Sequence, residues 1–91
     1  MDRKTFLNRL ILGIDLPGEV LPKTPLIEIL GEHRVLVENH SGVAGYCDNE
    51  VCINVKFGIV KISGQDLALT RMTGEQLVVS GVIDGVRLCR R

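Results

Sequence analysis

The stretch that decides the fold of this chain is Val35-Leu36-Val37-Glu38-Asn39-His40-Ser41-Gly42-Val43. Valine occupies alternate positions at its start, and the sequence then becomes polar before apolar residues resume at Val43. Apolar residues two positions apart indicate one face of a β-strand, and a cluster of Asn, His, Ser and Gly indicates a turn. The stretch therefore predicts a strand that ends in a turn.

The same pattern continues on both sides of this stretch. Residues two positions apart on a strand share one face of the sheet. Such apolar pairs are Ile27/Ile29, Val35/Val37, Ile53/Val55, Val60/Ile62, Leu67/Leu69, Leu77/Val79 and Val86/Leu88. Glycine or polar residues separate them at 31–32, 48–49, 58, 64–66, 73–74 and 84–85. We expect a β domain over residues 26–91, made of short strands and tight turns, whose inward-facing residues include Ile53, Val55, Val60 and Ile62.

Two segments of this domain are partly self-similar. They are Val60-Lys61-Ile62-Ser63-Gly64 and Leu77-Val78-Val79-Ser80-Gly81. Internal similarity of this kind indicates a repeated β unit, formed either by consecutive hairpins or by the rungs of a short solenoid. The sequence favours a mainly β fold with a curved antiparallel sheet or a small open barrel, and a short β-roll is the alternative.

The first 25 residues have a different pattern. Apolar residues recur there at helical spacing, at Phe6, Leu7, Leu10, Ile11 and Ile14. Asp2 or Thr5 can cap the first turn of a helix, and Pro17 stops it. Further prolines at 22 and 25 extend the chain. We therefore expect residues 1–25 to form an amphipathic helix followed by a proline-containing connector.

A helix of about ten residues is marginal in isolation, so its apolar stripe must dock on something. The stripe can pack on the protein's own sheet, on a membrane surface or on a partner. Basic residues beside it would be attracted to an anionic surface. Our hypothesis is that the stripe docks on a membrane protein. The hypothesised partner-binding residues are Arg3, Lys4, Phe6, Arg9, Leu10 and Ile14.

The charge balance and the lengths of the apolar runs argue against several classes of protein. Eleven basic residues balance eleven acidic ones, so the chain has no overall field that would attract nucleic acid. No apolar run approaches the roughly 20 residues that a membrane-spanning helix needs. The apolar run at residues 10–14 is short and is followed at once by Asp15, unlike a secretory signal. We expect a cytoplasmic protein that can contact a membrane peripherally.

Three cysteines, an odd number, fit a reducing compartment better than a disulfide framework. We expect residues 48–51 to form a four-residue turn that places Cys47 and Cys52 opposite each other on a hairpin. With Cys89 and one histidine, these thiols could form a tetrahedral zinc site. The interpretation we favour is that they are small packed apolar residues, with no metal bound.

Catalytic motifs are not apparent. His33 and His40 lie in polar turns, where a histidine is usually solvated or caps a backbone group. Ser41, Ser63 and Ser80 each precede glycine, and no nucleophile elbow surrounds them. The glycines are dispersed, unlike the grouped glycines that cradle a phosphate. The sequence predicts no catalytic residue, no cofactor and no enzyme.

Several segments, taken in order, resemble the YqfC branch of the YabP/YqfC family of sporulation proteins. The resemblance covers residues 16–88, and its main segments are 16–17, 21–22, 29–31, 37–40, 42–43, 46, 51–55, 58, 60–64, 66–67 and 77–83. The chain departs from the pattern at Cys47 and Cys52, where the family more often has polar or charged residues.

This resemblance implies a non-catalytic protein of endospore formation. It further implies expression in the mother cell and action beside a membrane protein, YqfD, near the forespore boundary. Two other classes stay open from the residues alone. The repeated strands suggest a self-assembling β scaffold or homo-oligomer, and the cysteines suggest a thiol- or metal-dependent regulator.

Overall fold

The computed structural model describes residues 24–91. Its strands are β1 (Leu26–Leu30), β2 (Arg34–Glu38), β3 (Val43–Tyr46), β4 (Glu50–Val55), β5 (Gly58–Met72) and β6 (Gln76–Arg90). They form one antiparallel sheet in the order β1-β2-β6-β5-β4-β3, with β1 and β3 at its two unclosed edges. The mainly β prediction is confirmed, whereas the predicted helix and almost all of the connector lie outside the described residues.

The two long strands correct the prediction that all strands would be short. β5 and β6 each contain 15 residues and pair along their length as one hairpin. The segments 64–66 and 84–85, which were predicted as turns, lie inside these strands. The pairing register shifts there, between Ser63 and Gly64 and again between Gln65 and Ala68. A β-bulge takes up the extra residues and bends the strand without ending it.

These bulges divide the sheet into two lobes. Lobe 1 consists of β1, β2, residues 76–80 of β6 and residues 68–72 of β5. Lobe 2 consists of β3, β4, residues 58–63 of β5 and residues 85–90 of β6. In each lobe, a short hairpin (β1-β2 or β3-β4) pairs with half of one long strand. Half of the other long strand lies next to it in the sheet. The two lobes therefore have the same topology.

The partly self-similar segments of the sequence are equivalent strands of the two lobes. In lobe 1, Val35 and Val37 pair with Val79 and Leu77; in lobe 2, Val51 and Ile53 pair with Ile62 and Val60. The backbone N–H of Gly81 donates to His33 O at 3.0 Å, and that of Gly64 donates to Asn49 O at 3.1 Å. Because every pairing is antiparallel, the repeat is one of hairpins, and the β-roll alternative was wrong.

The inner faces of both lobes form one core. It contains only aliphatic residues, namely Val35, Val37, Val51, Ile53, Val55, Val60, Ile62, Leu67, Leu77 and Val79, and nine of the ten are 0% exposed. The prediction that Ile53, Val55, Val60 and Ile62 face inward is confirmed. Apolar pairs at the margins of the sheet are less well covered, since Ile29 lies on an edge strand and Leu88 lies near the chain end.

Candidate functional site

The partner-binding residues proposed from the sequence are Arg3, Lys4, Phe6, Arg9, Leu10 and Ile14. All of them precede residue 24 and lie outside the described residues. Their role stays a prediction. The described domain nevertheless has several polar and apolar features from which a site can be built, and each is located by the two lobes.

The most distinctive polar segment, residues 38–42, ties three parts of the chain together. Asn39 adopts a left-handed conformation with φ of 61°, which asparagine tolerates better than most residues. Its backbone N–H donates to Glu75 O at 2.7 Å, in the turn between β5 and β6. Its side-chain Nδ2 donates to Thr24 O at 2.8 Å. Asn39 thus holds both the long hairpin and the start of the described chain against the end of β2.

His40 uses both of its ring nitrogens within the same segment. The backbone N–H of Gly42 donates to Nδ1 at 2.9 Å, so Nδ1 is an acceptor. The ring proton then lies on Nε2, which donates to Thr73 O at 2.8 Å. His40 therefore caps backbone groups, as expected from its position in a polar turn. The second histidine, His33, is exposed, and its Nδ1 lies 3.2 Å from Gly81 O.

The serines that precede glycine have backbone or hydroxyl partners. Ser63 Oγ donates to Gly85 O at 3.4 Å, and Ser80 Oγ lies 2.9 Å from Thr70 Oγ1. The backbone N–H of Ser41 donates to Asn54 O at 2.7 Å. The structure thus places these residues in contacts that join neighbouring strands, and it does not bring them together as a catalytic group with a histidine.

The cysteines are arranged differently from the prediction. The backbone N–H of Cys47 donates to Glu50 O at 2.9 Å, so the hairpin loop contains only residues 48–49. Cys52 then lies opposite Gly45, not opposite Cys47. The expected four-residue turn was wrong because the shorter loop shifts the register of the two strands. All three cysteines are free thiols.

No group of three or more His, Cys, Asp or Glu side chains within residues 24–91 is placed to hold a metal ion. The zinc ligand set considered from the sequence is therefore not assembled in this part of the chain. Cys52 is instead half-buried beside Glu50, with its Sγ 3.7 Å from Glu50 Oε1. Burial, followed by the nearby Glu50 carboxylate, raises the pKa of the Cys52 thiol.

Alkylation should distinguish the thiols. The thiolate is the reactive form, and a raised pKa lowers its fraction at a given pH. We expect iodoacetamide at pH 8 to modify the exposed Cys47 before Cys52, and the Cys52 rate to keep rising as the pH is increased further. Glu50→Gln should speed the reaction at Cys52 by removing the negative charge. Peptide mass mapping over a pH series measures this, and an unchanged Cys52 rate in Glu50→Gln would contradict the contribution assigned to the Glu50 carboxylate.

One edge of the sheet is bridged by a side chain. The Tyr46 hydroxyl of β3 donates to Leu67 O at 3.4 Å and accepts from the backbone N–H of Leu69 at 3.4 Å. Both groups belong to the part of β5 that β4 does not reach. The equivalent position in lobe 1 is Ile29, which has no hydroxyl and is 57% exposed. Ile29 therefore cannot form the side-chain bridge at the β1 edge that Tyr46 forms at the β3 edge.

The outer faces of the two lobes also differ. In lobe 1, Leu36 of β2 pairs with Val78 of β6, and both are half-buried. On the same face, Leu26 pairs with Glu38, a residue that is only 2% exposed, and Glu28 pairs with Leu36. We call Leu26, Glu28, Leu36, Glu38 and Val78 the lobe 1 face. The pair equivalent to Leu36 and Val78 in lobe 2 is Cys52 and Lys61, so one of its two residues is charged.

The sequence analysis missed the lobe 1 face, although the sequence contained a signal for it. The two runs Val35-Leu36-Val37 and Leu77-Val78-Val79 are apolar at every position. Strict alternation is typical of a strand with one solvated face, whereas a continuous apolar run is typical of a strand that is covered on both faces. Only the alternate residues were used in the prediction.

The part of the chain that the structure describes contains no helix long and apolar enough to cross a membrane.

The comparison with known families identifies the family of this chain. The sequence model of the YabP family matches residues 22–90, a range that includes all six strands and both lobes. The chain belongs to the YabP family. The resemblance identified from the short motifs is thereby confirmed.

A curated relative extends the match. The Bacillus subtilis (strain 168) protein named "Uncharacterized protein YqfC" is 31% identical over 84 residues, which is 92% of this chain and 87% of the relative. No solved structure matches the chain.

Proposed function

We propose that this YabP-family protein is a non-catalytic adaptor in endospore formation. It would act in the mother-cell cytoplasm, peripheral to the membrane, with a YqfD-like membrane protein at the forespore boundary. The observation that carries this proposal is the family match across residues 22–90, supported by the 31% identity to YqfC. The adaptor role is the proposal's own addition to that family assignment.

Features of the described domain support an adaptor role. The β1 edge is short and has four aliphatic residues and Glu28, and two of the aliphatic residues, Ile29 and Leu30, are 57% and 40% exposed. A free edge of this kind can accept an added strand from a partner, with backbone hydrogen bonds giving affinity. The family match includes this edge.

The proposed membrane contact involves the N-terminal segment. Its apolar stripe, Phe6, Leu10 and Ile14, would dock on the membrane protein. Arg3, Lys4 and Arg9 would add attraction to an anionic membrane surface of about 1 kcal/mol each. The ten core residues of the described part of the chain lie between positions 35 and 79 and pack on one another. We therefore expect the β domain to stay folded when residues 1–14 are removed.

Co-sedimentation tests this proposal. The full chain and a variant lacking residues 1–14 would be mixed with phosphatidylglycerol-containing vesicles, with and without the reconstituted YqfD-like protein. We expect the full chain to sediment only with vesicles that carry the partner, and the truncated chain to stay in the supernatant with an unchanged β circular dichroism spectrum. An Arg3→Gln, Lys4→Gln, Arg9→Gln variant should lose part of the binding, since it retains the stripe.

Two outcomes would contradict the proposed interface. If the truncated chain unfolds, the stripe is part of the structural core. If the truncated chain folds and still sediments with the partner, the contact surface lies on the sheet. If the full chain also fails to bind reconstituted partner, the membrane-adaptor role itself is wrong.

The open β1 edge also favours a second candidate, a self-assembling β scaffold. Charged residues on an edge strand oppose edge-to-edge pairing of two sheets, and β1 already has one, Glu28; a second charge should abolish the pairing. Sedimentation velocity should then show concentration-dependent oligomers that Ile29→Lys abolishes, while the matched change Tyr46→Lys at the other edge does not. A chain that stays monomeric at all concentrations would exclude the scaffold.

A further inference from the structure

The charged residues of the described domain are distributed unevenly between its parts. Residues 51–63 and 85–91, which form most of lobe 2, contain no Asp or Glu. Glu50 is the one acidic residue on the strands of lobe 2. The basic residues of residues 24–91 that lie outside lobe 2 are Arg34 and Arg71. The others form what we call the basic end of lobe 2, namely Lys56, Lys61, Arg87, Arg90 and Arg91.

Two members of the basic end lie directly opposite each other. Lys61 of β5 and Arg87 of β6 are cross-strand partners on the outer face of lobe 2. Like charges directly opposite each other destabilise a sheet. Within residues 24–91, no carboxylate lies within ion-pair distance of either side chain. This pair therefore has an electrostatic cost in the single chain that an acidic group from outside would offset.

The basic end extends around lobe 2 and does not lie in one plane. Lys61 and Arg87 are on the outer face, whereas Arg90, three residues after Arg87, belongs to the opposite face. The backbone N–H of Arg91 donates to Phe57 O at 3.2 Å, in the turn between β4 and β5. A flat lipid surface could contact only part of this arrangement. A shaped protein surface can contact all of it.

A surface of the opposite charge lies where the two lobes join. There, the turn after β1 and the turn after β3 contact the bulges of β6 and β5. The backbone N–H of Ile83 donates to Glu32 O at 2.8 Å, and that of Leu67 donates to Asp48 O at 2.8 Å. Together with the neighbours of the two donors, these turns present exposed acidic residues that we call the acidic surface, namely Glu32, Asp48, Asp66 and Asp84.

The surroundings of the acidic surface leave its charge largely uncompensated. The turn and bulge segments that carry it contain no Lys or Arg. Arg34 borders it on the lobe 1 side, and Glu50 borders it on the lobe 2 side. His33 lies between, with Nε2 3.6 Å from Glu32 Oε1. Because backbone hydrogen bonds hold both turns to the bulges, the acidic side chains start from fixed positions, which lowers the ordering cost of binding.

Charge complementarity identifies a second copy of this chain as the occupant of both surfaces. The tip of the basic end and the acidic surface cannot meet within one copy. Lys56 follows the end of β4, and Asp48 precedes its start, about 20 Å away. The full chain has a formal net charge of zero, so two copies do not repel each other overall. A net charge near zero favours association between copies.

We propose that the basic end of lobe 2 in one copy binds the acidic surface of the next copy. The contact joins two different surfaces, so a pair of copies retains one free surface of each kind and further copies can add. This contact goes beyond the adaptor function and does not depend on it. It also differs from strand pairing at the β1 edge, because it uses no residue of β1.

Salt dependence is the first test, on the full chain by sedimentation velocity. The Debye length is about 20 Å at about 20 mM salt and about 4 Å at about 0.5 M salt. We expect concentration-dependent association at the lower salt concentration and monomers at the higher one. A chain that is monomeric at both would overturn the proposal. Association of equal strength at both would also overturn it, because the contact would then involve an uncharged surface such as the β1 edge.

Mixing two charge-reversal variants is the second test. The first variant, Lys61→Glu with Arg87→Glu, alters the basic end, and the second, Asp48→Lys with Asp84→Lys, alters the acidic surface. Each should self-associate at least about tenfold more weakly, since like charges would face each other. An equimolar mixture should form dimers and nothing larger, because only one pair of intact surfaces is present.

The matched control reverses the two basic residues outside lobe 2, Arg34→Glu with Arg71→Glu, and should not weaken association. Circular dichroism verifies that the variants are folded. If a reversal prevents folding, the neutral changes to Gln and Asn at the same positions take its place in the mixture.

A mixture that stays monomeric would overturn the proposal, as the two surfaces would then not bind each other. Monomers that instead bind phosphatidylglycerol vesicles through the basic end would assign that end to a lipid surface and overturn it too. The sedimentation experiments contain no membrane partner. Their failure is therefore distinct from failure of the adaptor proposal, in which the full chain does not bind reconstituted partner.

Discussion

Replacement of Ile62 by alanine should lower the free energy of unfolding by about 2–5 kcal/mol. Ile62 is 0% exposed and lies in β5, where it pairs with Val51 on one side and Val86 on the other. Loss of its side chain removes buried apolar surface and leaves a cavity that fixed neighbouring strands cannot easily fill. Because the whole domain is expected to be stable by only about 5–15 kcal/mol, this is a large fraction of its stability.

Urea denaturation followed by circular dichroism measures this effect. The matched control is Ile29→Ala, the same chemical change at a side chain that is 57% exposed. The control should change stability by no more than about 0.5 kcal/mol, as is usual for surface positions. Equal midpoints for Ile62→Ala and the unchanged protein would show that β5 presents its other face to the core.

The inner face of the sheet was predictable because it depends on local alternation. Val35 and Val37, or Val60 and Ile62, lie two residues apart wherever the strand is placed in the sheet. The two similar segments, residues 60–64 and 77–81, likewise correspond to equivalent strands of the two lobes in the structure. What the repeat could not reveal is which strands pair, since pairing is decided by partners distant in sequence.

The errors came from signals that have two structural meanings. Gly64, Gln65 and Asp66 are typical of a turn, and they are also suited to a bulge. The choice between these depends on whether neighbouring strands continue the ladder, which is a tertiary property. The cysteine register failed for a similar reason, because a two-residue loop and a four-residue loop differ by one step of pairing on each strand.

The candidate site was only partly visible in the sequence. The predicted helical stripe lies outside the described residues and stays a prediction. Within the described domain, the outward-facing pair Leu36 and Val78 was not predicted, because alternation alone assigns these out-of-phase residues to solvent.

The second large effect is expected at the place where the lobes join. Gly64 lies at the bulge of β5, and a Cβ atom there would overlap the carbonyl oxygen of Val82 on β6. That oxygen is part of the backbone and cannot rotate away as a side chain would. Gly64→Ala should therefore force the two strands apart and destabilise the protein by about 3 kcal/mol. Gly81, its equivalent in lobe 1, is restricted in addition by a φ of 140°.

Thermal denaturation of Gly64→Ala and Gly74→Ala tests this argument with the same chemical change at two sites. Gly74 lies in the turn between β5 and β6, and nothing lies within 4 Å of a Cβ atom placed there. Its replacement should be neutral or slightly stabilising, because alanine reduces the entropy of the unfolded chain. If Gly64→Ala melts at the same temperature as Gly74→Ala, the backbones of β5 and β6 do not approach each other at Gly64 as closely as the structure shows. A selective loss at Gly64 would instead mean that a single close backbone approach allows both lobes to share one core.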